Sequence, residues 1–158
     1  MNATAQRVAD ALAALGVKTA VIEFAESTRT AEEAAAAIGT QVAQIVKSLV
    51  FMAGDAPVLA LVSGTNRLDP ARLAAWTGDP PRRASADQVR AVTGFAIGGV
   101  PPIGHSQPLR TFLDRDLTQY EVVFAAAGTP HAVFAIAPAE LARITGGEII
   151  DLAARPAD

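Results

Sequence analysis

The spacing of apolar residues predicts helices at several places along the chain. Near its start, Val8, Leu12 and Leu15 recur every three to four residues among alanines. This period predicts a helix over Ala3–Leu15 that ends at Gly16, a residue suited to the left-handed C-cap conformation. Capping residues and glycine stops predict four further helices: from a Ser27-Thr28 cap to Ile38, from an Asp69-Pro70 cap to Trp76, over Ser85–Val92, and over Pro138–Ile144.

Alternating apolar positions predict the strands. The clearest strand is Gln44–Ala53, which a Gly54-Asp55 turn joins to Pro57–Ser63 in a hairpin. Shorter strands are predicted over Val17–Phe24, Phe95–Ile97, Leu109–Leu113, Glu121–Ala127, Ala132–Ile136 and, at a sheet edge, Glu148–Leu152. Helices and hairpins without strict β-α-β alternation predict an α+β fold with a mixed sheet, in a single domain over residues 1–158.

Composition narrows the class of protein. Of the 158 residues, 51% are hydrophobic and 18% charged, which is enough apolar surface to form a folded core. No basic segment followed by an apolar run resembles a signal peptide, and no apolar run has the length of a membrane span, so we expect a cytoplasmic protein without a membrane partner. A net charge of −3 disfavours a DNA-binding protein that covers a long stretch of phosphate backbone. Any nucleic acid would therefore be held over a small part of its length.

Conventional nucleophiles and metal ligands are scarce. Cysteine is absent, and His105 and His131 are the only histidines, without zinc-binding spacing. No Gly-x-Ser-x-Gly frame surrounds a serine. The acidic residues Glu32, Glu33, Asp114 and Asp116 fall where helix starts and turns explain them. We therefore do not expect metal catalysis.

Lys47 is the first residue that suggests chemistry. It lies in the middle of a strand, on a face that also carries Ile45, Leu49 and Phe51. An ammonium among such neighbours is partly desolvated unless it meets an anion or a carbonyl oxygen. The alternative is a lysine at a sheet edge whose head group reaches water.

A loop rich in glycine and proline, Gly98–His105, is the second such feature. Its glycines allow the main chain to approach a ligand closely, and its N–H groups could stabilise an oxyanion. A rigid structural turn is the alternative. His131, at the tip of a predicted hairpin, could orient a substrate or move a proton, or could simply be solvated.

Three segments resemble, in order and spacing, the YbaK family, which includes the ProXp proteins and the editing insertion of bacterial prolyl-tRNA synthetases. The segments are Ile45–Phe51, Thr93–Gly104 and Phe112–Asp114, and the resemblance spans about Ala5 to Leu152. It implies a mixed, partly barrel-like sheet flanked by helices. It also implies a trans-acting aminoacyl-tRNA deacylase that removes a mischarged amino acid from the CCA end of tRNA, in particular tRNA(Pro), without a cofactor.

The resemblance also implies roles for individual residues. Lys47 would help to hold the aminoacyl end, and Gly99, in a Gly-x-x-x-Pro loop, would lie close to the reacting ester. Further substrate contacts are expected from Gly98, Val100, Pro101, Pro102, Gly104, His105, His131 and Thr28. The acidic net charge fits a protein that holds mainly the acceptor end of tRNA. The candidate phosphate contacts, of which we expect only one or two to be used and the remaining arginines to be solvated, are Arg29, Lys47, Arg67, Arg72, Arg82, Arg83 and Arg110.

The substrate is suggested by departures from one branch of the family. Ala126 and Val133 stand where the cysteine-specific YbaK branch has Ser and Asp. The Gly-Thr-Pro-His and Pro-Pro-Ile-Gly-His segments resemble ProXp branches that clear alanine or similarly small residues, with Ser, Thr and Cys as less favoured substrates. A prolyl-tRNA synthetase or an elongation factor is a further partner to consider. Two alternatives stay open: a non-catalytic module that binds tRNA or a synthetase, and a small-molecule binding protein.

Overall fold

The computed structural model describes residues 1–155, which form five α-helices and eight β-strands. The helices are α1 (Ala3–Ala14), α2 (Ala31–Ile38), α3 (Pro70–Thr77), α4 (Ala86–Thr93) and α5 (Pro138–Thr145). The strands are β1 (Val21–Glu23), β2 (Ile45–Ala53), β3 (Ala56–Ser63), β4 (Pro81–Arg83), β5 (Arg110–Asp114), β6 (Val123–Ala126), β7 (Ala132–Ile136) and β8 (Glu148–Ile150). Within this range no helix has both the length and the apolar character needed to cross a bilayer.

All eight strands belong to one mixed sheet in the order β1-β7-β6-β2-β3-β5-β8, with β4 attached to β2. The β2–β3 and β6–β7 pairs are antiparallel, whereas β2–β6, β3–β5 and β5–β8 are parallel. The predicted α+β class with a mixed sheet is confirmed. The predicted position of the last strand at a sheet edge is also correct, since β8 pairs with β5 alone.

The two faces of the sheet are covered by different helices. On one face, α1, α4 and α5 contribute Val8, Val89 and Leu141 to the largest hydrophobic cluster. On the other face, α2 packs on Ile45, and α3 belongs to a separate cluster that contains Phe51. Side chains two positions apart in a strand share a face. Lys47 therefore lies on the second face, in the interval between α2 and α3.

Two of the predicted features are wrong. Phe95–Ile97 is not a strand: α4 ends at Thr93 with Gly94 as its C-cap, and the buried Phe95 donates its N–H to the hydroxyl of Thr93, which turns the chain away from the sheet. The helix cap predicted at Ser27-Thr28 lies at Thr30 instead. There the Thr30 hydroxyl accepts from Glu33 N at 3.0 Å, and the Glu33 carboxylate accepts from Thr30 N at 3.3 Å, forming a capping box.

One strand was not predicted. Three residues, Pro81–Arg83, form β4 and pair with the far end of β2. Pro80 and Pro81 stand at the start of this segment, and an edge strand tolerates the missing N–H of a proline. The remaining predicted helices and strands have the right type, with ends that differ by a few residues.

Candidate functional site

Strand β2 changes neighbours along one of its edges. Its first two residues, Ile45–Val46, pair with β6, and its last three, Phe51–Ala53, pair with β4. Between them, residues 47–50 pair with β3 on the opposite edge and with no strand on this edge. The sheet therefore forks at this point, and the main chain of β2 borders an opening.

The orientation of the β2 main chain follows from one hydrogen bond. Val50 O accepts from Ala84 N at 3.0 Å, on the side away from β3. The N–H and C=O of a residue in an antiparallel ladder point to the same side, and the side alternates along the strand. The main-chain N–H and C=O of Ser48 therefore face the opening as well.

A cavity of about 250 Å³ occupies the opening, and we call it the fork cavity. One wall comes from α2 and the segment before it, another from β2, and the others from β4, α4 and the loop after it, β6 and β7. The lining residues are Thr28, Arg29, Thr30, Ala31, Ala34, Ile45, Val46, Lys47, Ser48, Leu49, Val50, Arg83, Val89, Ile97, Gly98, Val100, Phe124, Ala126 and Val133. Most are apolar, with a few hydroxyl and cationic groups.

Lys47 is half-buried at the fork cavity and its Nζ donates to the main-chain oxygen of Asn66 at 2.5 Å. Burial lowers the pKa of Lys47 below its ordinary value, while the carboxylates of Glu32 and Asp114 act in the opposite direction. The ammonium is thus partly desolvated, as the strand pattern suggested. It is also hydrogen-bonded to the protein, so it differs from a lysine whose head group lies in bulk water.

Ser48 is a polar residue of the fork cavity that the sequence did not single out. Its Oγ is buried and has no hydrogen-bond partner within residues 1–155. Buried hydroxyls are normally paired, so an orphan beside a cavity suggests a position for a ligand or water. The available signal was a serine on a strand whose other residues on that face are apolar.

The loop after α4 forms the opposite wall, and its glycines are needed for space. Gly98 has φ +93°, and a Cβ there would lie 3.3 Å from Arg29 Cγ. A Cβ on Gly99 would lie 2.7 Å from Thr129 Cα and 2.8 Å from Gly128 O. The loop therefore packs closely against the segment before α2 on one side and against the β6–β7 turn on the other.

Gly99 itself is not a lining residue, although Gly98 and Val100 on either side of it are. Its N–H donates to Ala96 O at 3.1 Å, within the loop. The contribution of Gly99 that the geometry shows is close packing, which holds Gly98 and Val100 against the cavity.

The rest of the loop lies behind the cavity wall. Pro101 and Pro102 are buried, and Gly104 is exposed with φ +82°. His105 Nε2 lies 2.7 Å from Pro101 O, and burial lowers the pKa of this histidine. These four residues belong to the same loop and do not line the fork cavity.

Thr28 and His131 occupy different positions relative to the cavity. Thr28 lines it, and both its N–H and its hydroxyl donate to Pro130 O, the hydroxyl at 2.9 Å. His131 is exposed and is not among the lining residues. Its main-chain oxygen accepts from Phe24 N at 2.7 Å, so its backbone ties β7 to the segment after β1.

Among the candidate phosphate contacts, Arg29 and Arg83 line the cavity together with Lys47. The Arg83 guanidinium lies over the Phe51 ring, 5.5 Å from its centroid. The others lie outside the lining: Arg67 and Arg82 are exposed, Arg72 pairs with Asp69 and Asp151, and Arg110 pairs with Glu148. Within residues 1–155 no group of three His, Cys, Asp or Glu residues is placed to hold a metal ion.

Known proteins resemble this chain in both sequence and structure. The sequence model of the aminoacyl-tRNA editing domain matches residues 25–144. The uncharacterized protein YwhH of Bacillus subtilis is 32% identical over 130 residues, which cover 82% of this chain and 83% of YwhH. The candidate Cys-tRNA(Pro)/Cys-tRNA(Cys) deacylase EbsC of Enterococcus faecalis is 29% identical over 134 residues, or 82% of each chain.

A solved structure described as a candidate trans-editing enzyme for prolyl-tRNA synthetase is 49% identical to this chain. It superposes with a TM-score of 0.94 and covers 98% of this chain and 99% of its own. The likeness therefore extends over nearly the whole of both chains.

Proposed function

The chain belongs to the aminoacyl-tRNA editing domain family, and we propose that it hydrolyses the ester bond between a small, wrongly attached amino acid and tRNA(Pro). Alanine is the favoured amino acid, ahead of serine, threonine and cysteine. The enzyme acts in trans on the CCA end of the charged tRNA, in the cytoplasm. The observation that carries the proposal is the fork cavity, in which Lys47 and the β2 main chain face the Gly98–Val100 segment.

The cavity suits an aminoacyl ester because such an ester is already activated. Water adds to the ester carbonyl, the resulting oxyanion collapses, and the bond to the ribose oxygen breaks with transfer of a proton to that oxygen. A site that positions the ester and stabilises the oxyanion accelerates this reaction without a protein nucleophile. The scarcity of nucleophiles in the cavity lining is consistent with that chemistry.

We assign the binding of the aminoacyl end to Lys47 and to the β2 main chain beside it. A partly desolvated ammonium is a strong donor to a carbonyl or phosphate oxygen. Ser48 presents its N–H and C=O to the cavity, together with an unpaired hydroxyl. These groups can receive the α-amino group and the ester of the substrate.

The apolar part of the lining supports a substrate amino acid with a small side chain. Ala126 and Val133 are paired across β6 and β7 and both line the cavity, with Ala34 on the α2 side. A pocket of this kind discriminates by volume, and one methylene changes affinity by only about 1–3 kcal/mol. This modest discrimination is the reason that a second, sieving enzyme is useful after a synthetase.

The choice of tRNA(Pro) is supported by the relatives. EbsC is named for Cys-tRNA(Pro) and Cys-tRNA(Cys), and the solved structure is named for prolyl-tRNA synthetase. Arg29 and Arg83 line the cavity and are the cations that we assign to the phosphates of the terminal nucleotides. A prolyl-tRNA synthetase or an elongation factor would hand over the charged tRNA.

The test is a deacylation assay on tRNA(Pro) charged separately with Ala, Ser, Thr, Cys and Pro. We expect wild-type protein to release alanine fastest and to spare proline, and Lys47→Ala to lose this activity. Lys18→Ala is the matched control, since Lys18 is the only other lysine and is exposed. All reactions are run at one salt concentration because electrostatic binding to tRNA depends on it.

Stability of every ester would overturn the enzymatic proposal. Binding of uncharged tRNA(Pro) without hydrolysis would then favour a tRNA-binding module. Tight binding of a free amino acid or nucleotide would favour a small-molecule binding protein.

A further inference from the structure

The residue that accepts the hydrogen bond of Lys47 is itself held in place by two carboxylates, the buried Asp114 and the partly exposed Asp116. Lys47 Nζ donates to the main-chain oxygen of Asn66, in the turn that follows β3. The Asn66 side-chain amide donates to Asp114 Oδ2 at 2.9 Å and to Asp116 Oδ2 at 2.8 Å. Both N–H bonds of this amide are thus used, and the residue is fixed from two sides.

Asp114 is the most deeply placed member of this group. It lies at the end of β5 with no exposed surface, and it accepts hydrogen bonds from Ser63 N at 3.0 Å and Asp116 N at 2.9 Å, besides the Asn66 amide. These donors are neutral N–H groups. A buried carboxylate costs free energy of folding unless it is well hydrogen-bonded or close to a cation. Lys47 is such a cation, because the charge of Asp114 raises the pKa of Lys47.

We propose that Asn66 and Asp114 are positioning residues for Lys47 in the deacylation assigned above. Asp114 fixes the Asn66 turn through the side-chain amide. The Asn66 carbonyl in turn holds the Lys47 ammonium beside the fork cavity. The catalytic part of this inference rests on the proposed function, whereas the coupling between Asp114 and Lys47 does not.

Charged side chains on three elements besides β2 affect the pKa of Lys47. Glu32 on α2 and Asp114 on β5 favour the charged ammonium, while Arg83 on β4 disfavours it, and burial disfavours it most. Removing the charge of Asp114 while Glu32 and Arg83 stay in place should therefore lower the pKa of Lys47 further. The same change should shift the alkaline limb of the rate profile to lower pH, since the protonated ammonium is the form that binds the substrate.

The first experiment follows Lys47 directly and needs no activity. With lysine labelled at its ¹³Cε, the protein gives two signals, from Lys18 and Lys47, and Lys18→Arg assigns them. We expect Asp114→Asn to lower the titration midpoint of Lys47 and to leave that of Lys18 unchanged. Asn66→Ala, in a partly exposed turn, serves as the second variant if Asp114→Asn does not fold.

The second experiment measures deacylation across pH with the same variants. We expect Asn66→Ala and Asp114→Asn to reduce kcat about 10- to 100-fold, the range expected for a misplaced catalytic group, with a smaller change in KM. Arg155→Ala is the matched control. It removes ion pairs to Asp116 and Asp151 at 3.0 and 2.8 Å, and Arg155 bonds to neither Asn66 nor Asp114. It should leave the Lys47 titration and kcat unchanged.

The outcomes separate the two proposals. A shifted Lys47 titration without hydrolysis of any ester would overturn the proposed function and uphold the coupling of Asp114 to Lys47. Hydrolysis that requires Lys47 but is unchanged in rate and pH profile in both variants would overturn the positioning role and leave the proposed function intact.

Discussion

Gly99 and Thr129 pack main chain against main chain: a Cβ on Gly99 would lie 2.7 Å from Thr129 Cα. This contact joins the loop after α4 to the β6–β7 turn. Real Cβ atoms do not approach main-chain atoms so closely, and neither partner here is the flexible end of a side chain. A side chain at position 99 must therefore push the two segments apart.

We accordingly predict that Gly99→Ala displaces Gly98 and Val100 from the cavity wall. The variant should lose about 1–3 kcal/mol of unfolding free energy, the usual cost of overpacking, and most of its deacylation activity. Urea unfolding and the deacylation assay measure the two effects. Gly147→Ala is the control, because a Cβ there meets mainly the hydroxyl of Thr145, at 2.9 Å. Wild-type activity in Gly99→Ala would contradict the close-packing role.

Ala126 allows a test of selection by volume. It lines the fork cavity opposite Val133, and Ala126→Val adds two methyl groups to the lining. The activity on the threonine ester should fall by at least about 10-fold relative to that on the alanine ester, since each methylene in such a pocket changes the binding free energy by about 1–3 kcal/mol. The ratio of kcat/KM for the two charged tRNAs is the measurement.

The control for this prediction is Ala135→Val, on β7 and outside the cavity lining. It should leave the ratio of the two kcat/KM values unchanged. An equal ratio in Ala126→Val and wild type would show that the wall formed by β6 and β7 does not select the amino acid.

His105 predicts how stability depends on pH below neutrality. Burial lowers its pKa below 6.5, so between that lowered value and 6.5 the unfolded chain binds more protons than the folded one. The unfolding free energy contributed by His105 therefore decreases as pH falls through this window. In His105→Gln, whose amide can still donate to Pro101 O, the decrease from pH 7 to pH 5 should be smaller than in wild type.

Urea unfolding at the two pH values checks this prediction, with His131→Gln as the exposed control. The carboxylates of the protein titrate in all three chains, so only the difference between them reports on His105. An identical decrease in His105→Gln and wild type would show that the buried histidine does not limit stability in acid.

Helix starts were predicted correctly where the capping residues lie next to one another in the sequence. The Ser85 cap with Gln88 three residues later forms the capping box at the start of α4, and the Asp69-Pro70 cap starts α3. Phe95–Ile97 was predicted wrongly because the preference of phenylalanine for strands competes with a hydrogen bond to the hydroxyl of Thr93. Propensity is a weak guide where such a side chain offers the backbone another partner.

The sequence predicted those features of the candidate site that lie within one strand or one loop. It did not predict the features that depend on how separate strands come together. The apolar face around Lys47 and the glycines of the loop were visible as patterns. The unpaired edge at Ser48 depends on where β4 and β6 attach, and neither position is encoded near Ser48. Asp114 suggested only a turn, and it does cap the helical turn after β5, yet its bond to Asn66 joins residues 48 positions apart.

The lowered pKa of Lys47 makes the unfolding free energy depend on pH, and Lys47→Met tests this dependence. Burial lowers its pKa below 10.5, so between that lowered value and 10.5 the unfolded chain binds more protons than the folded one, and the unfolding free energy of wild type rises with pH there. Methionine fills similar space without a charge. The variant should therefore lose deacylation, and its stability relative to wild type should fall as pH rises towards 10.5. Urea unfolding at pH 7, 8, 9 and 10 measures the difference, with the exposed Lys18→Met as the matched control. A difference that is constant across this range would mean that the pKa of Lys47 is the same in the folded and the unfolded chain, and would contradict the expectation that burial outweighs the carboxylates of Glu32 and Asp114.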